Sequence, residues 1–296
     1  MFVVSTRKRT YYNQRLFLRR AIALSLCVVA GAAAALVLMP RIVRVSPDDT
    51  ARLCTILDAL HAPRTPPLVV FGDSAGMFGV DARLLGGSNL CSPAQTIGES
   101  FLLQQELPAS VNVVVHLVTP TMLDRNDAVD PDHYNAMRLC GYTPRADTRA
   151  AIARVFRFDL DVRPLHDRLH GRRHVRAAIE GFARDVLRGN RRGGWLPEQR
   201  FADLANMSFT MNATQVQLLR ECASHARRHY VVVLAPIHPR LRARVACPSG
   251  VDCVDLTRLL SESEFLDPMH ANSAGARKLT AAIRDALAAR RLLLKD

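Results

Sequence analysis

An apolar run that stops abruptly on a turn constrains this chain more than any other stretch. Pro67-Leu68-Val69-Val70-Phe71 is preceded by Pro66 and followed by Gly72-Asp73-Ser74. A β-branched and aromatic run of this length, bounded by proline and glycine, predicts a strand buried on both faces, as in a parallel sheet. Gly72 permits a tight turn, which brings Ser74 near the start of the next helix. There the first N–H groups lack intrahelical partners and point at whatever the hydroxyl attacks. Ligands of open α/β sheets bind at the carboxyl ends of the strands. Ser74 is therefore a candidate nucleophile, with Gly72 and Asp73 as the neighbouring motif.

A serine hydroxyl needs an adjacent base to attack at neutral pH. The chain offers one near its end, where Phe265-Leu266-Asp267-Pro268-Met269-His270-Ala271-Asn272 sets a carboxylate and an imidazole three residues apart, before a helix expected from Ser273. In that arrangement Asp267 orients the ring and stabilises its charged form while His270 takes the serine proton, in the chain order Ser, Asp, His. Between the two motifs the pattern alternates, with strands expected at 88–91, 111–118, 231–234 and 251–256 and helices at 74–85, 97–107, 213–230 and 273–291. Alternation of this kind predicts an α/β fold, a three-layer α/β/α sandwich with a central parallel sheet and right-handed crossovers. Residues 127–210 interrupt it and read as a helical insertion over the active-site edge.

The Gly72-Asp73-Ser74 and Asp267-x-x-His270 blocks, taken together, resemble the SGNH (GDSL) hydrolase superfamily, over roughly residues 66–290. Phe78-Gly79-Val80-Asp81 and the continuation of the last block through Asn272-Ser273-Ala274-Gly275-Ala276 look most like its membrane-anchored branch. That branch includes proteins of cell-surface polysaccharide O-acetylation and teichoic acid D-alanylation. The resemblance implies a flavodoxin-like sheet, an acyl-serine intermediate and three oxyanion donors: the serine N–H, a glycine N–H after the second strand and an asparagine after the third. Here Ala94 or Gln95 stands where the glycine is expected. Asn126, with Thr119 as its competitor, stands for the asparagine, and either could be an ordinary loop residue. His238 follows another strand and reads as a substrate contact, as a rival base to His270, or as a structural histidine.

The 296 residues carry a formal charge of +13, unevenly spread. Residues 1–20 hold six basic and no acidic residues, residues 161–200 ten arginines against five acids, and only +2 remains for everything else. Between Ala21 and Met39 runs a charge-free apolar segment of nineteen residues. At 1.5 Å per residue it spans about 28 Å, enough for a transmembrane helix. The arginines before it would hold the N-terminus in the cytoplasm, as a single-pass anchor of the inner (cytoplasmic) membrane with the rest of the chain periplasmic. A cleaved signal peptide is the competing reading. The expected organisation is a basic tail at 1–20, the span at 21–39, a linker with a short helix at 40–65, and one domain at 66–296. The preference for arginine, with three lysines among forty basic residues, suggests a GC-rich bacterial genome.

Cys27 lies in the expected span, which leaves six exported cysteines. An even count fits disulfides in an oxidising compartment, although reduced and buried thiols would fit as well. The Pro248-Ser249-Gly250 turn makes Cys247 with Cys253 the one pair to expect. His166, His170 and His174 share one helical face, but no glutamate or cysteine completes a metal set, so no metal and no cofactor is expected. Nucleic acid is not an expected partner, because basic residues are not interleaved with aromatics. The insertion's arginines could meet anionic polysaccharide or lipid headgroups, or form a solvated face.

These features lead to a membrane-anchored, extracytoplasmic SGNH-type acyl esterase or O-acyltransferase acting on cell-surface polysaccharide or another acylated glycan. Water as acceptor gives the esterase and a sugar hydroxyl the transferase. The alternative is a catalytically silent SGNH-like protein that binds glycan or partners a membrane-bound O-acyltransferase. A lipid esterase would require an apolar groove beside Ser74.

Overall fold

The computed structural model describes residues 17, 19–31, 47–62, 65–150, 208–226 and 228–293. The chain forms two units, Met1–Arg44 and Val45–Asp296. In the first, residues 19–31 are helical and their apolar side chains are largely exposed. No helix among the described residues is long and apolar enough to cross a membrane. The second part of the expected span, 32–39, lies outside them.

The second unit is an α/β fold around a five-stranded sheet. Its strands are β1 (Leu68–Gly72), β2 (Gly87–Asn89), β3 (Val113–Val118), β5 (His229–Leu234) and β7 (Cys253–Asp255). They run in the order β2-β1-β3-β5-β7, and every pairing is parallel. Counted among themselves, the five follow the order 2-1-3-4-5 of a doubly wound sheet, whose direction of winding reverses between β1 and β3. Gly72 pairs with Leu117 at that crevice.

Alternate residues of each strand enter separate cores, because successive side chains leave opposite faces of a pleated sheet. Val69, Phe71, Val114, Val118, Val232 and Leu234 pack with helices α1 (Pro47–Leu60), α3 (Ile97–Gln105), α5 (Pro131–Leu139) and α6 (Ala213–His225) through Ile56, Phe101, Met137 and Leu218. Leu68, Val70, Val113, Val115, Val231 and Val233 pack on the other face with Val80, Leu85, Leu279, Ile283 and Leu287. Those partners come from the segment after Ser74 and from α7 (Ser273–Ala289). Three layers result, with every residue of β1 and β3 buried.

Several expected elements are shorter than the pattern suggested. The helix after the nucleophile candidate, α2 (Ser74–Gly79), stops at Val80, and Asp81 then caps a separate 3-10 turn, Ala82–Leu85. A second parallel pair, β4 (Ser208–Thr210) with β6 (Arg242–Arg244), was not expected, since three residues carry no periodicity. The four-residue α4 (Pro120–Leu123) follows β3. Most of the expected insertion, including His166, His170, His174 and the arginine-rich stretch, lies outside the described residues.

Cys247 and Cys253 form the expected disulfide, with Cα atoms 5.7 Å apart. Cys54 and Cys140 form a second one that ties α1 to the end of α5 across 86 residues. Pairing of all six does not hold, because Cys91 and Cys222 are free thiols buried among apolar side chains.

Candidate active site

The turn at the end of β1 is built to expose one hydroxyl. Gly72 has φ of +154°, and a Cβ there would lie 2.7 Å from the Leu117 carbonyl oxygen on β3, so glycine is required. Asp73 caps α2, its Oδ1 accepting from the Ala75 N–H at 2.9 Å. That donor is therefore spent on the cap. The N–H of Ser74 has no acceptor among the described residues.

Asp73 itself points inward. Its Oδ2 accepts from Thr119 Oγ1 at 2.5 Å and from Thr121 Oγ1 at 3.5 Å. Burial raises the Asp73 carboxyl above the 3.8 of an ordinary aspartate, against the hydrogen bonds of Thr119 and Ala75 and the nearby His270.

On the opposite side of Ser74, a closed turn presents the imidazole. Phe265 and Ala271 form an antiparallel bridge, and the Leu266 N–H donates to the His270 carbonyl at 2.8 Å. Asn272 fixes the base of the turn by donating to Ser263 O and capping α7 through the Ala274 and Gly275 N–H groups. A Cβ on Gly275 would come within 2.3 Å of the Glu264 carbonyl, so α7 lies directly against this turn.

Within that frame the two motifs meet across 196 residues. The Ser74 hydroxyl lies 2.9 Å from His270 Nε2, and His270 Nδ1 lies 2.9 Å from both Asp267 oxygens. An ionised carboxylate can only accept, so Nδ1 carries the ring proton and Nε2 offers its lone pair to the serine hydroxyl. Asp267 Oδ1 also accepts from the Met269 and His270 N–H groups at 2.8 and 2.9 Å. Burial alone would raise this carboxyl, but the hydrogen bonds from the ring and from those two N–H groups outweigh it and hold Asp267 below 3.8. The arrangement has the parts needed for covalent acyl transfer: hydroxyl, base and orienting anion in hydrogen-bond contact.

The other expected site residues fare differently. Ala94 is exposed, adopts φ of +52°, and its N–H has no acceptor among the described residues. Gln95 is fully buried, and its side chain is structural: Oε1 accepts from the Gly72 N–H at 2.9 Å, while Nε2 donates to Leu90 O and Ser92 Oγ, each at 3.2 Å. It pins the serine turn from behind, and its own N–H, the group the resemblance puts forward, donates to Ser92 O at 3.2 Å. Thr119 is likewise spent on Asp73. Asn126 accepts from Asn212 at 3.2 Å and belongs to the junction with α6. His238 is buried, its Nδ1 accepting from the Arg240 N–H and its ring edge-on to Phe265, and it lines a cavity with Ile237, Leu256 and Arg258.

Two features went unforeseen. Phe78 meets the His270 ring edge-on at 5.8 Å between centroids, although it is itself largely exposed. Glu99 and His133 form a buried pair at 3.2 Å that links α3 to α5. Burial lowers the His133 imidazole, but its hydrogen bond to Glu99 and the charges of Glu99 and Asp130 leave it raised overall. Neither pairing has a sequence signature, because the partners lie far apart in the chain. Among the described residues no cluster of three or more His, Cys, Asp or Glu side chains is placed to hold a metal ion.

No family model matches the chain, and no curated protein does. Among solved structures it is similar to that described as "a putative platelet activating factor from Streptococcus pneumonia". The identity is 12%, with a TM-score of 0.39, over 86% of this chain and 99% of that one. A likeness at that level carries no argument.

Proposed function

We propose that this chain is an SGNH-type acyl esterase or O-acyltransferase that acts on extracytoplasmic polysaccharide through an acyl-Ser74 intermediate. The observation that carries the reading is the unbroken hydrogen-bond chain from Asp267 through His270 to Ser74. As Ser74 Oγ attacks the ester carbonyl, its proton passes to His270 Nε2 and the carbonyl oxygen becomes an oxyanion. The Ser74 and Ala94 N–H groups are the donors proposed for that oxyanion, each worth about 3 kcal/mol in such a role. Collapse breaks the ester bond, and His270 returns the proton to the departing sugar alkoxide. Water or a second sugar hydroxyl then attacks the acyl-serine, losing its proton to His270, and collapse breaks the bond to Ser74 Oγ as His270 Nε2 returns that proton to it. Asp267 stays ionised throughout and stabilises the imidazolium.

Location follows as part of the proposal. The basic leader and apolar segment at 21–39 would anchor the chain in the cytoplasmic membrane, with the second unit outside. Two disulfides support an oxidising compartment. The test is acetate release from an O-acetylated polysaccharide, and acetyl transfer to the deacetylated form, by the full-length chain and by Ser74→Ala. The reading expects one of the two reactions in the parent and neither in the variant.

A second reading, a catalytically silent glycan-binding partner of a membrane-bound O-acyltransferase, has one observation in its favour. The side chains of Gln95 and Thr119 are committed to structural hydrogen bonds, and Asn126 is tied through its Oδ1 to Asn212 at the junction with α6, so none of the three is shown serving Ser74. Under that reading Ser74→Ala would leave the cell-surface acylation phenotype intact.

A further inference from the structure

Few large apolar side chains among the described residues of the second unit are left in water. Among the described residues of the second unit, Phe78, Leu84 and Leu266 are the exposed large hydrophobics. One of the three meets the His270 imidazole, and a second stands on the turn that carries it. Phe78 is 61% exposed and follows Ser74 by four positions in α2, so both side chains leave one face of that helix. Its ring meets His270 edge-on at 79°, on the ring whose Nε2 faces the serine hydroxyl. Leu266 is 69% exposed and immediately precedes Asp267, on the turn that presents His270. An apolar surface this close to a nucleophile, with two strong cores available elsewhere in the fold, is what a substrate group would cover.

We propose that Phe78, with Leu266, forms the wall of an acyl subsite and selects apolar acyl groups longer than acetyl. The inference rests on the reading of Ser74 as the acyl acceptor. As Ser74 Oγ bonds to the acyl carbon, the chain beyond that carbon leaves along the Phe78 ring. Each added methylene then loses water-exposed surface only where the wall is present. On a half-open wall each methylene is worth about threefold in kcat/KM, so two make butanoyl about tenfold better than acetyl.

The test compares kcat/KM for p-nitrophenyl butanoate and acetate with the full-length protein, together with intact-mass detection of the acyl-enzyme. The ratio cancels any loss common to both esters, including a shift of His270. Phe78→Ala is expected to lower the butanoyl-to-acetyl ratio about tenfold, Leu266→Ser about threefold, and Phe78→Leu is expected to restore most of it. A ratio unchanged in both Phe78→Ala and Leu266→Ser overturns the wall, as does an equal loss on both esters. If an acyl-Ser74 adduct still forms in that case, the reading of the nucleophile stands. Absence of an adduct with either ester overturns both.

Discussion

Gln95 stands where the resemblance expects a main-chain donor, and truncating its side chain tests the structural role that the geometry gives that side chain. If its side chain helped bind an oxyanion, Gln95→Ala would lower kcat by a factor of about 10² to 10³ with little effect on folding. The structure predicts the reverse. Oε1 is the partner of the buried Gly72 N–H, and Nε2 serves the Leu90 carbonyl. Truncation strands both, at about 1–3 kcal/mol each. The space left in a site with no exposed surface adds about 1 kcal/mol. Together these amount to about 3–7 kcal/mol, or roughly 15 °C of Tm in a unit of this size. Urea titration and thermal melts measure the stability, and p-nitrophenyl ester turnover below the melting range measures the site. A variant that melts with the parent but has lost a hundredfold in kcat would refute the structural assignment of this side chain.

Asp73 and the disulfides yield further expectations. The Asp73 carboxyl is raised by burial, so the stability tied to its protonated form is present below pH 3.8 and lost as pH rises through the folded value. Asp73→Asn keeps an acceptor for Ala75 and a partner for Thr119 without the buried charge, so its Tm should exceed the parent's at pH 7 and converge with it towards pH 3; a lower Tm at pH 7 would contradict this. Loop-closure entropy gives about 4.6 kcal/mol for the Cys54–Cys140 link, which spans 86 residues, and about 2 kcal/mol for Cys247–Cys253, which spans 6. Urea unfolding of Cys54→Ser should therefore show about twice the loss of Cys247→Ser, and equal losses would remove the chain-entropy account.

What the sequence made legible is what local chemistry dictates. The run from Leu68 to Gly72 had to be a central strand because no exposed face could tolerate it, and all five residues are buried. Ser74, Asp267 and His270 could be paired before any geometry was known, since each stands at a strand-to-helix junction in an order that a doubly wound sheet brings together. Illegible features depend on partners without residue identity. Gln95 bonds to the backbone atoms of Gly72 and Leu90, and any residue presents those atoms. Thr119 meets a carboxylate 46 positions away. Six cysteines allow fifteen pairings. Only Cys247 and Cys253 had a turn between them, so the bridge from Cys54 to Cys140 and the burial of Cys91 and Cys222 had no local sign. The pair β4 and β6 is too short to show alternation.

The central claim is that His270 and Asp267 make Ser74 a nucleophile. Its most direct test is to mix the full-length chain with p-nitrophenyl acetate, quench, and map the adduct by intact mass and peptide sequencing, with Ser74→Ala and His270→Gln alongside. The account predicts one acetyl group on Ser74 in the parent, none in Ser74→Ala, and formation slowed at least a thousandfold in His270→Gln. A folded parent that gains no mass, or acetylation that proceeds equally in Ser74→Ala, would contradict it.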